Sequence, residues 1–264
     1  MLRNVFTKSL RDGRRSLIGW ALAIAAVAMM YAGFYPSMQT PAMTAALEQY
    51  PESLREIFQL GDTTAAGYLG STVFGLLGPI LLAIFAIALG TRAIAGDEEA
   101  GTLDLLLAHP VSRLRVAGSR YAALVVSLVV VGAVCFVGLL AVYRPARLDS
   151  IPVVNLAAMI VQLVLLGAFF GALALAVGGL GARRGTVFAV GGGVAVLAYV
   201  ANAVAPQVDG LAWAQKLSPF HWYLGGEPLR NGLQAGGSLL LLATTAVLLA
   251  VGLWSFHHRD LSLH

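Results

Sequence analysis

Charged residues are scarce in this sequence, and the scarcity is uneven along the chain. Only 11% of the 264 residues are Asp, Glu, Lys or Arg, whereas 58% are hydrophobic. A soluble domain carries about 25% charged residues, so the composition excludes an ordinary soluble fold. Six stretches contain no charged residue, and each holds an apolar run near the roughly 20 residues that cross a bilayer as a helix. They are residues 16–47, 63–91, 121–143, 150–182, 185–208 and 231–258. We therefore predict an all-α membrane protein with six transmembrane helices.

Cysteine and lysine are almost absent, and each absence excludes a class of function. Cys135 is the only cysteine, which excludes an intrachain disulfide framework and a cysteine metal cluster. The two lysines, Lys8 and Lys216, do not follow the G-x-x-x-x-G-K-[ST] loop that cradles phosphates in ATP-hydrolysing proteins. The sequence therefore lacks the motor of an ATP-driven machine.

The six uncharged stretches also lack the groups that chemistry inside a membrane requires. A proton- or sodium-coupled carrier usually holds ionisable residues within its spans, and none of the six stretches contains an Asp, Glu, Lys or Arg. Ser238 has no convincing histidine partner, and the aspartates lie outside the spans, which argues against an intramembrane protease. His257 and His258 are adjacent and point to different faces of a helix, which argues against a shared metal site. A secondary transporter, or another multispan protein that acts without an ATPase, stays an alternative to an ATP-driven transporter subunit.

The spans and their connections use nearly the whole chain, so residues 1–264 are predicted to form a single transmembrane domain. The spans are predicted at about 17–36, 70–92, 117–142, 153–181, 186–205 and 237–257. Basic residues lie beside the apolar runs, which favours a membrane surface over nucleic acid as the partner. Twelve basic residues lie on the side of both termini and five on the other, so both termini are predicted to be cytoplasmic. The first span is long for a signal peptide and is expected to be retained.

Three segments outside the spans carry local patterns. In residues 2–15, apolar side chains at helical spacing are surrounded by basic ones, which predicts an interfacial elbow helix with a joint at Gly13. Residues 43–60 predict a short amphipathic helix. Residues 206–236 are rich in aromatics, prolines and glycines, and form either an interfacial belt or one or two short re-entrant helices that cap a translocation path.

Small and polar residues within the spans predict helix contacts. Glycines are dense in spans four and five, where they indicate close helix packing. These glycines are Gly167, Gly171, Gly178, Gly179, Gly191, Gly192 and Gly193. Pro79 predicts a kink in span two. Tyr31, Gln162, Asn202 and Thr186 are candidates to line a path, although hydrogen bonding between helices is the interpretation that we favour.

The loop between predicted spans two and three, residues 96–120, carries the most distinctive pattern. Three consecutive acids, Asp97, Glu98 and Glu99, interrupt an otherwise basic side of the protein. Gly101 then breaks the chain.

A short helix is predicted to follow these acids. Residues 102–108 can form about two turns, and Pro110 ends them because the residue before a proline disfavours the α region. Leu103, Leu106 and Leu107 share one face of this helix, and leucines outside the membrane need a covering surface. That surface is either a partner protein or the ends of the spans themselves.

The loop resembles the coupling segment of type-2 ABC transporter permeases, the membrane subunits of many bacterial exporters. Those proteins commonly show an acidic cluster, then Gly-Thr-Leu-Asp/Glu-Leu-Leu-Leu, then Pro-Val-Ser-Arg. The matching residues are Asp97, Glu98, Glu99, Gly101, Thr102, Leu103, Asp104, Leu105, Leu106, Leu107, Pro110, Val111, Ser112 and Arg113. Residues 2–15, 217–220 and 256–261 resemble the family's elbow helix, a motif before the last span and the usual C-terminal ending, although His257 and His258 stand where arginine is more frequent.

The resemblance implies the permease subunit of a bacterial ABC exporter, with an elbow helix and a coupling helix. A separate ATPase subunit would bind ATP and Mg²⁺ and dock on the coupling segment. The coupling residues would be Asp97, Glu98, Glu99, Gly101, Thr102, Leu103, Asp104, Leu106, Leu107 and Arg113.

The chain itself is expected to be no enzyme, to hold no cofactor or metal, and to lie in the plasma membrane beside a second permease copy or homologue. Either the small-residue spans or spans one, two and five would face that copy. The uncharged interior favours a hydrophobic or amphipathic cargo, such as a drug, an antibiotic or a lipid-like molecule.

Overall fold

A computed structural model describes residues 2–40, 49, 51, 64–99 and 112–258. Within those ranges the chain is helical without a strand, and six helices are long and apolar enough to cross a membrane. These are Leu2–Met38, Ala65–Ala93, Arg113–Val142, Val153–Gly179, Arg184–Val204 and Ala235–His258, here called spans one to six. The all-α fold with six spans is therefore confirmed, and the boundaries of spans two to six agree with the predicted ones within a few residues.

Span one corrects one prediction. The helix runs from Leu2 to Met38 without a break, so the joint expected at Gly13 is wrong and the separate elbow helix of residues 2–15 is not confirmed. A glycine within a helix costs only about 1 kcal/mol relative to alanine, and the Leu and Arg residues around it favour a helix. The basic segment therefore continues the axis of the span.

Span two is built from three helical pieces. An α-helix, Ala65–Ser71, is followed by a π-helical turn, Val73–Leu77, and then by a second α-helix, Gly78–Ala93. Pro79 lies at the start of the last piece. The irregularity expected at this proline therefore takes the form of a π-helical turn just before it, one of the usual ways in which a helix accommodates an interruption.

Span four is the centre of the bundle. It packs against spans two, three, five and six, while span one packs mainly against span three. The span ends in a Schellman motif, in which Gly181 has a φ of 93°. The N–H groups of Gly181 and Ala182 donate to the carbonyls of Gly178 (3.0 Å) and Val177 (3.4 Å). This tight ending lets span five begin at Arg184.

The alternating spans define two ends of the bundle. The terminal end carries the start of span one and the end of span six, together with a short helix after span two, Ala95–Glu99, here called the acidic helix. The far end carries residues 205–234 between spans five and six, here called the outer segment. Its short helices are Ala205–Gln207, Ala212–Gln215, Pro219–Leu224 and Pro228–Asn231.

Two predicted helices cannot be compared with the structure. The amphipathic helix of residues 43–60 lies outside the described residues except for positions 49 and 51. The coupling helix of residues 102–108 lies outside them entirely.

Candidate coupling site and transport path

A small apolar cluster joins four spans at the terminal end. The cluster consists of Ala93, Ile94, Ala117, Leu175 and Phe256, all buried, and it lies directly before the acidic helix. These residues belong to the ends of spans two, three, four and six. The segment that leads from span two into the acidic helix is therefore packed against most of the bundle rather than suspended from one span.

Two polar contacts add to this packing. Arg120 of span three donates from Nη1 to the carbonyl of Ala93, 2.7 Å away, at the last residue of span two. Glu99 at the end of the acidic helix accepts from the backbone N–H of Arg184 at 2.8 Å. That N–H belongs to the first turn of span five, where helix N–H groups have no partner within the helix and carry positive partial charge. The first contact joins the end of span two to span three, and the second joins the acidic helix to span five.

The structure describes only part of the predicted coupling residues. Glu99 is exposed and contacts span five, and Arg113 begins span three. Asp97 and Glu98 lie within the acidic helix. The remaining residues of the set lie outside the described ranges: Gly101, Thr102, Leu103, Asp104, Leu106 and Leu107. Their role in docking an ATPase stays a prediction.

Sequence reasoning missed the residues that support the coupling segment. In the sequence, Arg120 resembles any basic residue at the start of a span, and Phe256 is part of a C-terminal motif. The partner of Glu99 is a backbone group, which no side-chain pattern can reveal. Proximity in the chain to the acidic loop was the one available signal, and it applies to Arg120 alone.

The candidate path-lining residues lie in different surroundings. Tyr31 is half-buried and packs against the core. Gln162 is fully buried; its Nε2 donates to the carbonyl of Gln234 at 3.4 Å, and its Oε1 has no hydrogen-bond partner among the described residues. Asn202 is half-buried, and its carbonyl accepts from Gln215. The three do not share one surface, and a role in lining a path stays a prediction for each.

An exposed apolar stripe on span two was not predicted. Leu76, Ile80 and Ile84 follow each other at intervals of four residues and are 37%, 38% and 48% exposed. One turn further towards the terminal end, Ile87 is buried and lies against Gly191 of span five. Spans two and five therefore touch at Ile87, while span two presents apolar side chains to the outside in the turns that precede it.

The outer segment inserts aromatic side chains into the far half of the bundle. Phe220 is buried, with its ring centroid 5.8 Å from that of Phe170 in span four and 5.5 Å from that of Tyr199 in span five. Asn155 of span four donates to the carbonyls of Leu229 (3.2 Å) and Arg230 (2.7 Å). The region contains four short helices, more than the one or two predicted, and these contacts hold Pro219–Leu224 and Pro228–Asn231 against the spans. Re-entry of these helices into the membrane stays a prediction.

Comparison with known proteins adds one finding. Over residues 3–261, the sequence matches the family described as ABC-2 family transporter protein. The matched range includes all six spans, the acidic helix and the outer segment. No curated protein matches the sequence significantly.

Proposed function

The chain belongs to the ABC-2 family of transporter proteins, and we propose that it is the permease subunit of an ATP-driven exporter whose ATPase is a separate chain. Members of this family are components of ABC transport systems, and the sequence has no phosphate-binding loop of its own. ATP and Mg²⁺ bind to the partner subunit. The protein lies in the bacterial plasma membrane with both termini on the cytoplasmic side.

The observation that carries this proposal is the way in which the acidic helix is joined to the bundle. A docking segment that drives transport has to pass its movement to the spans. The buried cluster around Ile94 lies directly before the acidic helix and packs the end of span two against spans three, four and six. The bond from Glu99 to the N–H of Arg184 adds span five. Movement of a docked ATPase therefore reaches five of the six spans through direct contacts.

Docking itself uses residues 97–113. Leu103, Leu106 and Leu107 insert into a groove of the ATPase and supply affinity, while the charged residues around them set orientation and encounter rate. Glu99 has a different role because its carboxylate contacts span five within the permease. ATP-driven closure of two ATPase subunits then shifts the spans between inward- and outward-facing arrangements.

The translocation path lies between two permease copies, on the face formed by spans two and five. Span four cannot present a face to a second copy, because 72% of its 18-residue apolar stretch is buried within the chain. Span five is 11% buried by the same measure, and it touches span two at Ile87, one turn from the exposed stripe Leu76, Ile80 and Ile84. An apolar surface of this kind suits a hydrophobic or amphipathic cargo.

Co-purification of tagged subunits tests the coupling assignment. Leu106→Asp places a charge in a desolvated contact, which costs about 3–5 kcal/mol when the charge stays unpaired. We expect this variant to lose the ATPase partner and the permease-stimulated ATP hydrolysis, while it still expresses and dimerises. Leu105→Asp is the matched control, because position 105 lies on the opposite face of the predicted coupling helix. A Leu106→Asp variant that retains its ATPase at full stoichiometry contradicts the assignment, as does ATP hydrolysis by the permease alone.

Glu99→Ala separates docking from transmission. The variant is expected to retain the ATPase, because charges at the edge of an interface contribute little to affinity. Hydrogen exchange of the first turn of span five should rise, and the change in that exchange on ATP binding should disappear. Glu98→Ala removes a charge one residue earlier and should leave both measurements as in the wild type. Equal exchange in the wild type and Glu99→Ala would contradict the role given to Glu99.

A further inference from the structure

We propose that Tyr223 is a positioning residue that completes the backbone of span two at its π-helical turn. Through this bond, the far half of span two and the outer segment form one unit. The inference rests on backbone hydrogen bonding and does not depend on the proposed function.

In the pattern of the π-helical turn, the carbonyl of Phe74 has no backbone donor. Within the turn, the N–H of Leu77 donates to the carbonyl of Thr72 at 3.2 Å, and the N–H of Gly78 donates to the carbonyl of Val73. The next carbonyl in this series belongs to Phe74, and its donor five residues later would be Pro79. Proline has no N–H. Phe74 is fully buried, so water cannot supply the missing bond, and a buried carbonyl without a partner is unfavourable.

Tyr223 supplies that bond from a distant part of the chain. Its hydroxyl donates to the carbonyl of Phe74 at 3.0 Å, across 149 positions of sequence. The side chain is fully buried and is carried by the helix Pro219–Leu224 of the outer segment. A hydroxyl at this position therefore takes the place of the N–H that Pro79 lacks.

The two halves of span two are held by different partners. In the far half, a Cβ built at Gly70 would lie 3.9 Å from the Leu229 side chain of the outer segment, and Arg230 donates to the hydroxyl of Thr64 at 3.3 Å. In the terminal half, Gly90 lies so close to span four that a Cβ there would come within 2.5 Å of the carbonyl of Gly171. The π-helical turn is the boundary between these halves. The Tyr223 hydroxyl therefore joins the far half of span two to the outer segment, which is itself bonded to span four through Asn155.

A double-mutant cycle between Tyr223 and Pro79 tests the assignment. Tyr223→Phe removes the hydroxyl and keeps the ring, and it is expected to raise the unfolding equilibrium constant roughly three- to fifteenfold, the range measured for polar contacts inside membrane proteins. Pro79→Ala restores an N–H to the backbone of span two. In that background, Tyr223→Phe should change the constant less than about twofold, because the carbonyl has a donor of its own. Reversible unfolding of the purified chain in mixed micelles gives all four values.

Tyr121→Phe is the matched control. The Tyr121 hydroxyl also donates to a carbonyl within a span, that of Ala168 at 3.0 Å, but residue 172, four positions later, is an alanine with an N–H. The effect of Tyr121→Phe should therefore be the same in the wild type as in the Pro79→Ala background. If Pro79→Ala does not accumulate, Pro79→Gly supplies the same N–H. An equal cost of Tyr223→Phe in both backgrounds, or no cost in the wild type, would overturn the proposal.

Discussion

Spans four and five follow each other in the chain and share a high glycine content, yet span four is mostly buried and span five is mostly exposed. Of the 18-residue apolar stretch within span four, 72% is buried, whereas 11% of the corresponding stretch of span five is buried. Both stretches are apolar, with mean hydropathies of 2.5 and 1.9. The difference in burial therefore comes from position in the bundle rather than from composition.

The glycines of the two spans differ in how closely they approach neighbouring helices. In span four, a Cβ at Gly171 would lie 2.8 Å from Leu124, and one at Gly179 would lie 2.5 Å from the carbonyl of Gly252 in span six. In span five, Gly191 is close to Ile87, but a Cβ at Gly192 or Gly193 would meet no described atom within 4 Å beyond the adjoining backbone of its own helix. The close packing predicted for the glycines of span four is confirmed, whereas these two glycines of span five pack against nothing within the described ranges.

The described hydrogen bonds between span five and other segments lie near its two ends. At the terminal end, Glu99 accepts from the N–H of Arg184. At the far end, Ser218 donates to the carbonyl of Ala198 at 2.7 Å, and Gln215 donates to the carbonyl of Asn202 at 3.2 Å. A helix held in this way can move as a rigid rod when its ends move, whereas span four is fixed along its length.

The largest effect is expected where spans four and six meet. Gly179→Ala places a methyl group against the backbone of Gly252, which cannot rotate away as a side chain can. The spans must separate, and overpacking of this kind costs about 1–3 kcal/mol. Unfolding of the purified protein in mixed micelles measures the loss. Gly118→Ala in span three, where the Cβ position is open, is the control and should not destabilise the protein; equal stability of the two variants would mean that the close crossing is absent in the membrane.

An intermediate effect is expected at the far end of span five. Ser218 is buried, and its hydroxyl both donates to Ala198 and accepts from the N–H of Phe220 at 3.1 Å. Ser218→Ala should therefore cost about 0.6–1.7 kcal/mol, and hydrogen exchange should rise in the last turns of span five. Ser127 is similarly buried but bonds only the carbonyl of Ala123 in its own helix, so Ser127→Ala should cost less and leave span five unchanged. If span five exchanges no faster in Ser218→Ala, this contact does not hold its far end.

The fold could be predicted from the sequence because the bilayer limits what an apolar stretch of some 20 residues can do. Charge-free intervals give the spans, and the prediction of six helices depends on little else. Gly13 shows where such reasoning fails. A glycine beside basic residues resembles a joint, but its cost within a helix is small, and the neighbouring residues outweigh it.

The arrangement of the helices could not be predicted, because helix packing depends on pairs of surfaces and the sequence shows one surface at a time. Nothing in the pattern of span four distinguishes Gly179 from Gly192 of span five. The bond of Tyr223 to Phe74 has the same origin: Pro79 marks a missing donor, but the residue that replaces it lies more than a hundred positions away.

The smallest effect, and the one that defines span five most sharply, is expected for Gly192→Ala. Within one chain the added methyl group enters open space, and alanine favours a helix over glycine by about 0.8–1 kcal/mol. Unfolding of the isolated chain should therefore stay unchanged or shift slightly towards greater stability, the opposite sign from Gly179→Ala.

A second copy packed against span five would change the outcome for the dimer alone, because the methyl group would then separate two backbones. We expect the dimer fraction of Gly192→Ala to fall, as measured by energy transfer between labelled copies in nanodiscs, with Gly118→Ala as the control. An unchanged dimer fraction would mean that Gly192 faces lipid. The contrast with span four would then be between a packed helix and a lipid-facing one, and the path would have to form on another face of the bundle.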